Sequence, residues 1–255
     1  MIFDDIDKIY FLHLSDRYDR EKWMNSQIEQ IGFPKEKVNI WWTCRRNISK
    51  EIYDNIKSLH IDFYDDNILT NPYIGASVFN CAFEHYSIIR TSYERGFKHI
   101  LIFEDDIKFL VNLDIFKKFI SLLPEEYNVC KFHYNLFIEG NLSDESSNFK
   151  IIPNENTDIT DPYVLYNNFG DVLYSSNSNS TMSYIIDRNG MKSIIDLYNK
   201  NFCAADLVFS QLQDVNVYHC NYQLVSSQDY NCKPEEYMYS ELWKINTNQI
   251  YNQFK

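Results

Sequence analysis

The stretch "HILIFEDDIKFL", residues 99–110, runs four apolar residues, Ile100 to Phe103, directly into three acids, Glu104, Asp105 and Asp106. A short apolar run of this kind, bounded by polar residues, reads as a buried central strand. Strands of open parallel sheets place functional groups at their carboxyl ends. Side chains alternate along an extended chain, so Glu104 and Asp106 are expected to share a face and Asp105 to point away. Two or three carboxylates at such a tip suit Mg²⁺ or Mn²⁺, which prefer oxygen ligands. An ion held there can bridge diphosphate oxygens and offset a leaving group's charge. The blander reading is an acidic loop start or a helix cap.

Upstream, "KIYFLHL" (8–14) reads as a first strand and "DRYDREKWMNSQIEQIGF" as an amphipathic helix that ends near Gly32. "VNIWWT" (38–43) reads as a second strand. "GASVFNCAFEHYSIIRTSYERGF" (75–97) carries apolar residues every three to four positions and stops at Gly96, a helix leading into "HILIF". The order strand, helix, strand predicts an α/β fold with a mixed, mostly parallel sheet flanked by helices. Downstream come a helix over 113–124, a strand in "VCKFHYNLF", a strand in "STMSYIID" (180–187), a turn at "RNG" and a helix in "MKSIIDLYNK". "DLVFSQL" (206–212) reads as a short helix, and "VNVYHCNYQLVSSQ" carries the last strands. Residues 139–180 are rich in Asn, Ser and Asp and read as a polar, loop-rich insertion. With no repeat and no linker, residues 1–255 read as one domain.

Of the residues, 45% are hydrophobic, enough for a sizeable core. The net charge of −12 argues against a nucleic-acid partner, which needs a basic surface. No cysteine pair has CxxC spacing, so the usual structural zinc pattern is missing. The start "MIFDDIDKIYFLHL" puts acids where a signal peptide carries positive charge, and no apolar run approaches a membrane span. The expectation is a cytoplasmic protein that does not span a membrane.

Several blocks resemble those of the family 25 glycosyltransferases, the lipooligosaccharide and collagen sugar transferases. "YFLHLSDRYDRE" resembles the family's opening strand and turn, on His13, Leu14, Arg17, Asp19 and Arg20. "NCAFEHYSIIRTSYERGFKHILIFEDD" is similar to its "GCxxSH … LILEDD" block, with Cys81 and His85 keeping their spacing to Glu104, Asp105 and Asp106. "SYIIDRNGMKSII", "AADLVFSQL" and "YQLVSSQ" resemble three later blocks, in family order, up to about residue 228. The chain departs from the pattern at His13 (usually Asn), Asp16 (Arg), Asn80 (Gly), Glu84 (Ser), Ala204 (Pro) and Tyr222 (Pro). The triplet after the second strand is met only loosely by "WWT".

The resemblance implies a GT-A type fold and an inverting transfer of a hexose, galactose or glucose, or an N-acetylhexosamine. The donor would be a UDP-sugar and the acceptor a hydroxyl of a glycan, glycolipid or glycoprotein, as in polysaccharide biosynthesis. It implies donor contacts from Arg17, Arg20, Glu104 and Asp105, and Mn²⁺ or Mg²⁺ on Glu104 and Asp106. His219, late in the chain on an apparent strand, is a further candidate ligand. Asp206 is the candidate general base, against the blander reading of an N-cap. His85 is expected to position the acidic strand or the substrate, and Cys81 to pack. Two rivals stand beside this reading. One is a non-catalytic carbohydrate-binding protein on the same fold. The other is a nucleotidyltransferase, although no Gly-rich phosphate loop is present.

Overall fold

The computed structural model describes residues 1–44, 72–132, 152–165, 181–200, 205–212 and 214–227. The core is a 7-stranded sheet in the order β2-β1-β3-β7-β5-β8-β6. Its strands are β1 (Lys8–Leu14), β2 (Val38–Thr43), β3 (His99–Glu104), β5 (Val129–Lys131), β6 (Tyr163–Leu165), β7 (Ser183–Asp187) and β8 (Val217–Cys220). β1 pairs parallel with β2 and β3, and β5 pairs parallel with β8. β7 runs antiparallel between β3 and β5, and β6 is an antiparallel edge on β8. The sheet is therefore mixed, with only β7 and β6 reversed. A second sheet pairs β4 (Ile107–Phe109) with β9 (Val225–Ser227), antiparallel.

Alternation along the strands sorts the core into two faces. Ile9, Phe11, Leu101, Phe103, Ile185 and Cys130 bury one side, together with α1 (Tyr18–Ile31) and α3 (Leu113–Ser121). Aromatic rings fill it: Phe103 meets Phe109 edge-on at 5.1 Å and Phe11 at 5.2 Å. Tyr10, Leu12, Ile100, Ile102, Tyr184 and Ile186 bury the other side, against α2 (Pro72–Glu94), α4 (Arg188–Lys200) and α5 (Ala205–Val208). Each of the fully buried strand residues contributes about 1.5–3 kcal/mol.

Helix ends follow local chemistry. Gly32 and Gly96 hold φ of 74° and 80°, a region open to glycine, and α1 ends at the first and α2 just before the second. Asn112 caps α3 by accepting a hydrogen bond from the Ile115 amide. The "RNG" turn expected after β7 is instead the first turn of α4. The Asp187 carboxylate accepts from the Gly190 amide at 2.7 Å and so starts the helix directly from the strand. Among the described residues no helix is long and apolar enough to cross a membrane. Of the polar insertion at 139–180, residues 139–151 and 166–180 lie outside the described residues.

Candidate active site

The chain leaves β1 for α1 on one face of the sheet. The first described element after β2, α2, lies on the other face. In open α/β sheets such a divergence marks the strand ends where ligands commonly bind. His13 and Trp42 are register partners at those ends. Trp42 is 53% exposed, whereas His13 is fully buried with its ring edge-on to the indole at 4.9 Å.

The acids of "EDD" separate at this point. β3 ends at Glu104, and Asp105 and Asp106 form the turn into β4. Asp105 lies on the face of α1, where its carboxylate meets His13 Nδ1 at 2.8 Å and accepts from Arg20 Nη1 at 2.8 Å. The same guanidinium nitrogen is 3.0 Å from Asp106. Burial pushes the Asp105 carboxyl up, but His13 and Arg20 outweigh it and hold the group below its ordinary value. A carboxylate kept ionised must accept, so the hydrogen of this pair sits on His13 Nδ1. His13 Nε2 is buried and has no hydrogen-bond partner among the described residues.

Helix α1 builds this arrangement from one of its faces. Arg20 reaches the turn, Trp23 Nε1 donates to the Ile107 carbonyl at 2.7 Å, and Gln27 Oε1 accepts from the Phe109 amide at 2.9 Å. Residues three to four apart on a helix lie on one side, so these contacts clamp the turn and β4 together. Arg17, at the start of α1, forms a two-pronged pair with Asp19 at 2.9 and 2.7 Å, which raises the pKa of the guanidinium.

Glu104 turns to the opposite face. Its Oε1 accepts from the Thr181 hydroxyl at 2.7 Å and lies 3.4 Å from His85 Nε2. His85 Nδ1 and the Tyr184 hydroxyl share a 2.9 Å hydrogen bond. Burial pushes the Glu104 carboxyl up, yet His85 and Thr181 leave it lowered overall. Among the described residues, the only group of three or more His, Cys, Asp or Glu with ligand atoms within 4.8 Å of one another is Cys81, His85 and Glu104.

The residues expected to share a metal stand apart in this arrangement. Glu104 and Asp106 do not share a face, because the strand ends between them and Asp106 joins Asp105 on Arg20. His219 stands on β8, three strands from β3 in the order β3-β7-β5-β8, which is about 14 Å across the sheet. It is buried, and burial and neighbouring Lys131 push its pKa well down. The three acids thus do not fit one oxygen-only site for Mg²⁺ or Mn²⁺ in this arrangement, since Arg20 already supplies the positive charge at the turn. The backbone places Asp206 in α5, whose Ala205 and Val208 bury on the Glu104 face, while its side chain lies outside the described residues.

His13, Trp42, Thr181 and Tyr184 were not singled out as site residues from sequence. The departure of His13 from the family's Asn was the one available signal for it. The contacts of Thr181 and Tyr184 span 77 and 99 residues and leave no local trace.

Residues 6–209 match glycosyltransferase family 25 (LPS biosynthesis protein). No curated protein matches the sequence. Among solved structures, a glycosyltransferase involved in the glycosylation of the major capsid of PBCV-1 aligns over 83% of this chain and 80% of its own, at 10% identity and a TM-score of 0.39. The apo-form glycosyltransferase GlyE of Streptococcus pneumoniae TIGR4 covers 98% of this chain at 10% identity and a TM-score of 0.42, and the chain spans 63% of that protein. Mouse xyloside xylosyltransferase 1 covers 79% of this chain and 79% of its own, at 8% identity and a TM-score of 0.32.

Proposed function

The chain belongs to glycosyltransferase family 25, and from that premise we propose that it transfers a hexose from a UDP-sugar to a hydroxyl of a glycan, glycolipid or glycoprotein with inversion, on a GT-A type domain. The observation that carries this reading is the Trp42–His13 pair at the carboxyl ends of β1 and β2, where the chain leaves for opposite faces of the sheet. There an exposed aromatic face, Trp42, stands edge-on to a buried histidine, His13. The indole offers a stacking surface for the base, and His13 holds Asp105 beneath it. Arg17 exchanges Asp19 for the diphosphate, a trade of one oxyanion for another in the same fork geometry. Arg20 binds through the turn, where it holds Asp105 and Asp106 under the donor.

Asp206 takes the proton of the acceptor hydroxyl. The hydroxyl oxygen bonds to the anomeric carbon as the bond from that carbon to the diphosphate oxygen breaks, and UDP leaves with the electron pair. His85 positions Glu104 and Tyr184 on the acceptor side. No step in this scheme runs through a metal, in keeping with the dispersed acids.

A panel of nucleotide sugars, assayed for UDP release and for glycosylated product by mass, tests the proposal. A UDP-hexose that yields product supports it. Binding of sugars with no turnover across the panel would favour a carbohydrate-binding protein. Transfer of the nucleotidyl group would favour a nucleotidyltransferase.

A further inference from the structure

On the α2 face of the sheet, the geometry points to a thiophilic divalent-cation site formed by Cys81, His85 and Glu104, with zinc as the fitting ion. Cys81 and His85 are four residues apart on α2, so both side chains project from one side of the helix. Glu104 meets them from the tip of β3, and the three ligand atoms lie within 4.8 Å of one another.

Three features distinguish the group from a chance cluster. First, the 3.4 Å between His85 Nε2 and Glu104 Oε1 is long for a hydrogen bond. It is the N···O edge of a tetrahedron with metal–ligand bonds of about 2.0–2.1 Å. Second, the outer contacts suit ligation. His85 Nδ1 bonds to the Tyr184 hydroxyl at 2.9 Å, which fixes the ring and leaves Nε2 directed at the carboxylate. Thr181 donates to Glu104 at 2.7 Å and fixes that ligand as well. Third, the donor set is one sulfur, one nitrogen and one oxygen. Mg²⁺ requires oxygen ligands in an octahedron, whereas zinc accepts this mixture with a fourth position left to water. An ion here ties α2 to the ends of β3 and β7 and stiffens the wall beside α5.

Cobalt(II) titration of the full chain reads the site directly, because a thiolate ligand gives a sulfur-to-cobalt charge-transfer band. The expectation is one ion per chain, a band that zinc abolishes by displacement, and loss of the band in Cys81→Ser. Cys44 is an exposed thiol, so Cys44→Ser is the control and keeps the band. X-ray absorption of the zinc-loaded wild type gives a second measurement that needs no variant, with one sulfur expected at about 2.3 Å. A band that survives in Cys81→Ser, a band lost in Cys44→Ser, or a zinc shell of nitrogen and oxygen only would each overturn the proposal. Failure of the nucleotide-sugar panel would leave these readouts untouched.

Discussion

At the scale of single residues, Asp105 shows how far sequence position and physical role diverge. It lies mid-motif among the expected donor ligands, yet both its oxygens are committed to His13 and Arg20, and it is only 4% exposed. Its folded pKa lies below the unfolded value of about 3.9. The stability it contributes is therefore complete above that value and is lost as pH falls through the lower folded value. Asp105→Asn is expected to cost about 3 kcal/mol at pH 7, because a buried pair loses one partner. It also flattens the acid limb of a stability–pH curve. Urea titrations at pH 7 and below pH 4 check both, and an unaltered acid limb would show that Asp105 carries no such linkage. Asp206→Asn separates chemistry from capping. The base assignment expects a roughly 10²–10⁴-fold fall in turnover with donor affinity unchanged. A helix-cap role expects a lower melting temperature, a loss of about 0.5–2 kcal/mol, and near-normal turnover.

Among the elements, the strands were legible wherever a complete apolar run met a polar boundary. "KIYFLHL" is β1 over its whole length, and Gly32 and Gly96 mark the ends of α1 and α2 as their sequence context implied. Alternation misled at one position. It described Glu104 and Asp105 correctly but failed at Asp106, because a turn does not preserve the two-residue period. The separation of the acids was settled by α1, which brings Arg20 to the turn across 85 residues of chain. No local pattern carries that information. Nor did the sequence mark "RNG" as helical, because Asp187 supplies the cap from the strand side. The same junction makes a prediction. A Cβ on Gly190 would meet the Asn128 carbonyl oxygen at 2.6 Å and Ile186 Cγ1 at 2.9 Å. Gly190→Ala is expected to destabilise by about 1–3 kcal/mol through overpacking of α4 on the sheet, despite alanine's higher helix propensity. Thermal melts decide it, and a stabilised variant would show that the strand end yields readily.

Across the whole molecule, the sheet divides the chemistry between its faces. The Trp42–His13 pair and the Arg20 turn belong to the α1 side, and the Glu104, His85 and Tyr184 cluster belongs to the α2 side. A donor seated at the carboxyl ends of β1 and β2 lies nearest β2, β1 and β3, while β8 and β6 form the far end of the same sheet. Ligand binding slows exchange most where contacts are made and where local opening was easiest. Saturating UDP is therefore expected to slow amide hydrogen exchange at the start of α1 around Arg17, at the ends of β1 and β2, and at the 105–106 turn. The β6 and β8 amides are expected to stay at their free-state rates. The Trp42→Ala variant should lose that protection in parallel with affinity, since the indole supplies the stacking face, while its melting temperature changes little at a half-exposed position. Protection centred on β8 and β6, or spread evenly over the sheet, would place the nucleotide elsewhere and remove the β1 and β2 strand ends from the mechanism.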